Sequence, residues 1–342
     1  LDRHTDWAKR PLNNETGYPE MTQLELHTMQ FEYFWNSGWI YNSSLESSKR
    51  YKYLWDKTLH NLKPDTIMND KLLPPQEFLD LQVLWFLFQF SPAYIAGEYN
   101  SEHFDHRLVD LFNQNGNYTR DDLEYVLDLQ HERLADVLPM YSILEERGQI
   151  ELTTTPYYHP IMPLLMMDGW PFEDGIYVGK DSWPEDVEMH LNKGVSLFQQ
   201  HTGVVPSGMW PSEQAVSPAM VQPVSNVGID WMVSDEMILE QSKDVNGLNP
   251  NVEDPRVLFT PWKATGDEGG EVSVIFRDRV ISDRIAFEYG SMEPVDAVDD
   301  FLGYMDNVRQ ELLDLGENPS EHLITVALDG ENWMFMSEFQ QN

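Results

Sequence analysis

From residue 149 onward the chain repeats one pattern: an apolar, often β-branched run, a polar turn, then an amphipathic stretch opened by a capping residue or a proline. The runs at 149–155, 204–210, 229–233, 257–261, 272–276 and 323–328 read as strands. Between them, 182–201 reads as a helix opened by Ser182-Trp183-Pro184-Glu185 and stopped before Gly203. A second helix begins at Ser217-Pro218, and a third lies within 292–315, entered through Pro294. A strand followed by a helix meets the next strand in parallel, because the helix carries the chain back along the sheet. Apolar residues follow one another in these strands rather than alternating, which fits burial on both faces. About six such strands, with helices between them, point to a closed or nearly closed β/α barrel. A doubly wound open sheet is the rival, but no Gly-x-Gly-x-x-Gly is present to support a dinucleotide site on it.

The first 147 residues differ, being mostly helix and loop. Pro75 opens a helix over 74–90 that Ser91-Pro92 ends. Thr119 followed by Asp122 is a capping-box-like start for a helix running to about Arg147, with Gly148 as its stop.

Charge narrows the partners. The 58 acidic and 22 basic residues leave a net −36, which argues against nucleic acid and anionic membrane as partners. No apolar run approaches the roughly 20 residues that cross a bilayer. The absence of cysteine removes thiolate catalysis and cysteine-ligated zinc. His103 and His106, with Asp105 between them, read as a surface pair, since no third ligand follows at metal-site spacing. No cofactor is required by these patterns, and structural calcium in the acidic loops is the one metal they admit.

The chemistry lies at strand ends. Glu213, in Gly208-Met-Trp210-Pro211-Ser-Glu213, and Asp329, in Ala327-Leu-Asp329-Gly330-Glu331-Asn332, each follow an apolar run. Barrel enzymes carry their reacting groups just past the C-terminal ends of strands. Two carboxylates facing one another across a sugar are the working parts of a glycosidase. In that reading Glu213 is a nucleophile, Asp329 a general acid/base, and Glu331 a group that holds a hydroxyl or tunes Asp329. The competing reading is a helix-start glutamate and an Asp-Gly turn. Glu151, followed by Tyr157, Tyr158 and His159 between prolines, forms a third segment suited to sugar stacking and hydroxyl recognition. Asp278 and Asp283, among Arg277, Arg279 and Arg284, serve either a sugar or an ion-pair network. Trp210 and Trp231 are strand-end indoles of the kind that stack on a pyranose.

Together, GQIELTTTPYYHPIMPLL at 148–165, GMWPSEQAVS at 208–217, FRDRVISDRIAFEY at 276–289 and ALDGEN at 327–332 resemble glycoside hydrolase family 57, in its amylopullulanase and α-amylase-like branch. The resemblance implies an incomplete (β/α)7 barrel, TIM-barrel-like, with inserted helical segments. It implies one catalytic domain over 1–342, with a helical and loop part at 1–147 and an active-site part at 148–332. It also implies a retaining double displacement on α-glucans, with Glu213 as nucleophile and Asp329 as acid/base. Glu151, Tyr157, His159, Trp210, Trp231, Asp278, Asp283 and Glu331 would surround the sugar subsites. Transglycosylation on the same site, by a 4-α-glucanotransferase or branching enzyme, and a non-catalytic glucan-binding barrel are the alternatives. The family's His-Gln-Pro motif is absent, Trp333 follows Asn332 directly, and the chain starts at Leu1, so truncation at both ends is expected. An extracellular or periplasmic setting is favoured over a cytoplasmic one.

Overall fold

The structure, a computed structural model, describes residues 2–34, 40, 46–58, 67–68, 70–90, 105–166, 170–171, 177–178 and 182–330. It divides into two compact units between Ala135 and Asp136.

The first unit is helical: α1 (Asp2–Lys9), α2 (Gln23–Phe34), α3 (Glu46–Asp56), α4 (Pro75–Leu87), α5 (His106–Asn113) and the start of α6 (Arg120–Glu146). Its core is aromatic, with Tyr33, Tyr51, Phe78, Phe86, Phe112 and Tyr118 almost wholly buried. The α4 helix buries residues on every side, Phe78, Leu81, Val83, Leu84 and Phe86 among them, as a central helix must. It also buries Asp80, which accepts from Arg50 Nη2 at 2.6 Å and from the Tyr118 N–H at 3.0 Å. A buried carboxylate persists only with such partners. The predicted capping box is formed: Asp122 Oδ2 accepts from the Thr119 N–H at 2.9 Å, and Thr119 Oγ1 accepts from the Asp122 N–H at 3.2 Å. Gly148 follows the end of α6 with φ +65°, a conformation that suits glycine. Among the described residues, no helix is long and apolar enough to cross a membrane.

The second unit carries the sheet. In chain order it contains β1 (Thr153–Thr154), α7 (Met162–Met166), β2 (Trp170–Pro171), β3 (Tyr177–Val178), α8 (Pro184–Thr202), β4 (Gly208–Met209), α9 (Pro218–Asn226) and β5 (Trp231–Asp235). There follow α10 (Glu236–Gln241), α11 (Pro255–Leu258), β6 (Trp262–Thr265), β7 (Glu271–Arg277), α12 (Arg279–Asp283) and α13 (Pro294–Asp314). The main sheet runs β1-β4-β5-β7-β6, parallel except for β6, which pairs antiparallel to β7. Thr325 makes a further parallel bridge to Arg277, whose other neighbour is Asp235 in β5. The parallel segments thus succeed one another across the sheet in chain order. Such an order has no reversal, hence no switch-point crevice of the doubly wound kind. The class is the mixed α/β expected, and among the described residues the sheet is not closed.

Four predicted strands are corrected. Residues 257–261 form no strand: Asp254 caps a helical turn, accepting from the Arg256 N–H at 3.0 Å, with Pro255 in its first position. Start signals there override the β propensity of Val257 and Phe259. The run at 323–328 is reduced to the single bridge at Thr325, and those at 149–155 and 204–210 to two paired residues each.

Trp231 explains Gly208. The indole lies across the glycine, where a Cβ would overlap its ring, and Trp231 Nε1 reaches Glu151 Oε1 at 2.9 Å.

Candidate active site

The loops after β1 and β4 and the segment after Thr325 meet at the C-terminal ends of the parallel strands. There Thr155, His159, Trp210, Glu213, Leu328, Asp329 and Gly330 line a cavity of about 400 Å³. That lies within the usual range of ligand pockets, about 300–1,000 Å³. Two carboxylates from distant stretches of chain, Glu213 and Asp329, therefore share one space.

Each wall is held by identifiable bonds. The β1–β4 ladder continues one step further, with the Trp210 N–H donating to Thr154 O at 2.8 Å. Pro211 then turns the chain so that Ser212–Gln214 makes one tight helical turn. Within it Glu213 has φ +55° and Gln214 φ +54°. The buried Ser234 hydroxyl, on β5, donates to Gln214 O at 2.8 Å and anchors the turn from below. Opposite, between Pro156 and Pro160, Tyr158 has φ +62° and His159 φ +53°. Left-handed backbone at residues with a Cβ costs on the order of 1–3 kcal/mol each, and such strain concentrates at functional sites.

His159 Nε2 lies 3.2 Å from Glu213 Oε1, and His159 Nδ1 lies 3.4 Å from Thr155 Oγ1. A neutral imidazole protonated at Nε2 satisfies both contacts, donating to the carboxylate and accepting from the hydroxyl. One oxygen of Glu213 is thereby fixed and the other left for chemistry. Glu213 is 64% exposed and His159 49%, so the site is open to a large substrate.

Asp329 arrives on a segment pinned by the end of β7 and by α12. The Asp278 N–H donates to Thr325 O at 2.9 Å, and the Ala327 N–H to the buried Ser282 hydroxyl at 3.2 Å.

Not every predicted residue converges on this cavity. Glu151 precedes β1 and accepts from Ser207 Oγ at 2.7 Å and from Trp231 Nε1 at 2.9 Å, at the N-terminal ends of the strands. Tyr157 lines an adjoining groove of about 830 Å³ that shares Thr155 and His159 with the cavity. Asp278 is buried, caps α12 through Ile281 N–H at 3.3 Å and accepts from the Tyr304 hydroxyl. Asp283 is held by Arg277 and by Arg279 Nε at 3.4 Å. Neither aspartate lines the cavity. Glu331 lies outside the described residues, as does His103. Thr155, Leu328 and Gly330 were not anticipated, although a threonine at the C-terminal end of a strand was the available signal for the first.

Burial holds Glu236 above the ordinary carboxylate range, and the charges of Asp278 and Asp235 push the same way against a hydrogen bond from the Arg279 N–H. Burial likewise raises Tyr304, helped by its bond to Asp278. Among the described residues, no three His, Asp or Glu side chains are grouped to hold a metal ion.

Similarity to known proteins is extensive at family level and partial beyond it. A 94-residue stretch is 31% identical to alpha-amylase 1 of Dictyoglomus thermophilum, covering 28% of this chain and 11% of that protein. The 4-alpha-glucanotransferase of Thermococcus litoralis aligns with TM-score 0.38 at 19% identity, over 63% of this chain and 28% of that one. The alpha-amylase AmyC of Thermotoga maritima aligns with TM-score 0.47 at 14% identity, over 92% of this chain and 65% of that one. This chain thus spans less than two thirds of each of these relatives. The model of glycosyl hydrolase family 57 matches residues 13–342. Matched along nearly its whole length, the chain belongs to glycosyl hydrolase family 57.

Proposed function

We propose that the chain is the catalytic part of a retaining glycosidase that cleaves α-glucans, at α-1,4 and in some substrates α-1,6 linkages, by double displacement. The observation that carries this reading is the joint placement of Glu213 and Asp329 in one open cavity at the C-terminal ends of parallel strands. Family membership and the stretch similar to an alpha-amylase support the substrate class.

Glu213, steadied by His159, attacks the anomeric carbon while Asp329 gives its proton to the leaving glycosidic oxygen. The bond to the leaving sugar breaks as the glycosyl–Glu213 ester forms. Asp329, now ionised, takes a proton from water, which attacks the same carbon and frees Glu213. Trp210 offers an indole face to the apolar side of the sugar ring.

Substitution tests the roles. Glu213→Gln and Asp329→Asn should each lower starch or pullulan turnover roughly 10⁴-fold, as removal of one member of a catalytic set does. Unchanged turnover in either variant would refute the assignment. In a crystal structure with bound oligosaccharide, the two carboxyl groups should lie about 5–5.5 Å apart; about 6.5–9.5 Å would mark an inverting enzyme. Product analysis separates the alternatives. Rising reducing ends mark hydrolysis, new linkages or longer chains mark a 4-α-glucanotransferase or branching enzyme, and binding without turnover marks a glucan-binding barrel.

A further inference from the structure

Tyr158 is 81% exposed, although a tyrosine ring is among the larger apolar surfaces a chain can bury. It also holds φ +62°, a conformation that side chains with a Cβ rarely adopt. Neither burial nor backbone preference accounts for this arrangement.

Its neighbours hold the ring in place. Tyr157, the tyrosine that sequence singles out, is the supporting one: Lys193 Nζ sits 4.0 Å from its ring centre. The Tyr157 and Tyr158 rings lie 4.2 Å apart, tilted by 44°, and His190 meets Tyr158 edge-on at 6.2 Å. Tyr158 thus leans on Tyr157 and keeps most of its surface open to solvent. Lys193 Nζ, 5.8 Å from the Tyr158 ring centre, sets a hydrogen-bond donor close to the ring. The next residue is His159, which contacts Glu213 at 3.2 Å. The ring therefore stands at the edge of the cavity, along the groove that joins it through Thr155 and His159.

We infer that Tyr158 is a stacking platform for one sugar ring of an α-glucan, forming a subsite outside the Glu213–Asp329 cavity, with Lys193 donating to that ring's hydroxyls. The inference rests on the proposed substrate class. A flat, weakly polar ring with a cation close by matches the apolar face and hydroxyl edge of a pyranose. It favours substrates long enough to reach past the cavity.

The test is calorimetric binding of maltoheptaose and of maltose to the full chain carrying Glu213→Gln, which prevents turnover. Tyr158→Asn removes the ring while keeping a residue that tolerates left-handed backbone. It should weaken maltoheptaose binding roughly three- to tenfold, the worth of one aromatic stack, and leave maltose unchanged. Tyr158→Phe should bind as the parent does. Maltoheptaose affinity that ignores Tyr158→Asn, equal weakening of both sugars, or no maltoheptaose binding by the parent overturns the platform. Failure of the hydrolase reading looks different: the unsubstituted chain would turn over no glucan while its maltoheptaose affinity still depended on Tyr158.

Discussion

Glu213 and His159 face one another from two strained turns, and neither turn contains a glycine that would relieve the strain. A side chain held this way points where the turn dictates, which preorganises it at the expense of stability. Gly208 shows the opposite case, a position where the absence of a side chain is the requirement. Gly208→Ala should displace the Trp231 indole, break its bond to Glu151 and lower stability by about 1–3 kcal/mol, the usual penalty of overpacking. Thermal denaturation measures it. Because the clash lies at the N-terminal ends of the strands, maltose affinity should change little.

At the scale of elements, the segment leading to Asp329 is not a strand in its own right. Its position depends on β7 and α12, through Thr325 and Ala327. Ser282→Ala should leave the buried Ala327 N–H without a partner, at a cost of about 1–3 kcal/mol. It should lower kcat more than it raises KM, since it loosens the segment carrying Asp329, the proposed acid/base; Ser282→Thr should preserve part of both. Glu236, the first residue of α10, gives a pH prediction. Its folded pKa is raised, so the folded state holds a proton that the unfolded chain has released. Stability from this group is fully present below the unfolded pKa, about 4.3, and is lost as pH rises from there through the folded pKa. Glu236→Gln should therefore stabilise the protein relative to the parent at neutral pH, and the difference should vanish in acid. Denaturant titrations at several pH values would read this, and a difference independent of pH would contradict it.

At the scale of the molecule, each compact unit has its own core, aromatic in the first and aliphatic with Met209, Met220 and Met232 in the second. What both share is charge. A net −36 repels itself, and salt screens that repulsion at a Debye length of about 3 Å in 1 M salt. The melting temperature should rise on moving from low salt to about 1 M KCl, the concentration at which screening reaches neighbouring side chains. A fall would mean that attractive ion pairs such as Arg50–Asp80 outweigh the repulsion.

Features written between near neighbours in the chain were legible in the residues themselves. Thr119 with Asp122, Gly203 after α8, and Pro184, Pro218 and Pro294 in first helical turns are local bonds and local sterics, and each is found where the sequence places it. The alternation of strand and helix, the parallel pairing it forces, and the position of Glu213 after a strand follow from the same short-range signals. Tertiary structure decided the rest, because the outcome depends on residues far apart in the chain. Only packing shows that Trp231 closes over Gly208 and takes Glu151 with it, and that Asp278 is buried under Tyr304. Nor does any local signal reveal that Tyr158 rather than Tyr157 presents its ring. The strand read at 257–261 failed for the complementary reason: its apolar residues suit either a strand or a helical turn, and Asp254 with Pro255 settled the choice. That Glu213 and Asp329 line one cavity is likewise a fact of the sheet, whose parallel strands bring both carboxylates to their C-terminal ends.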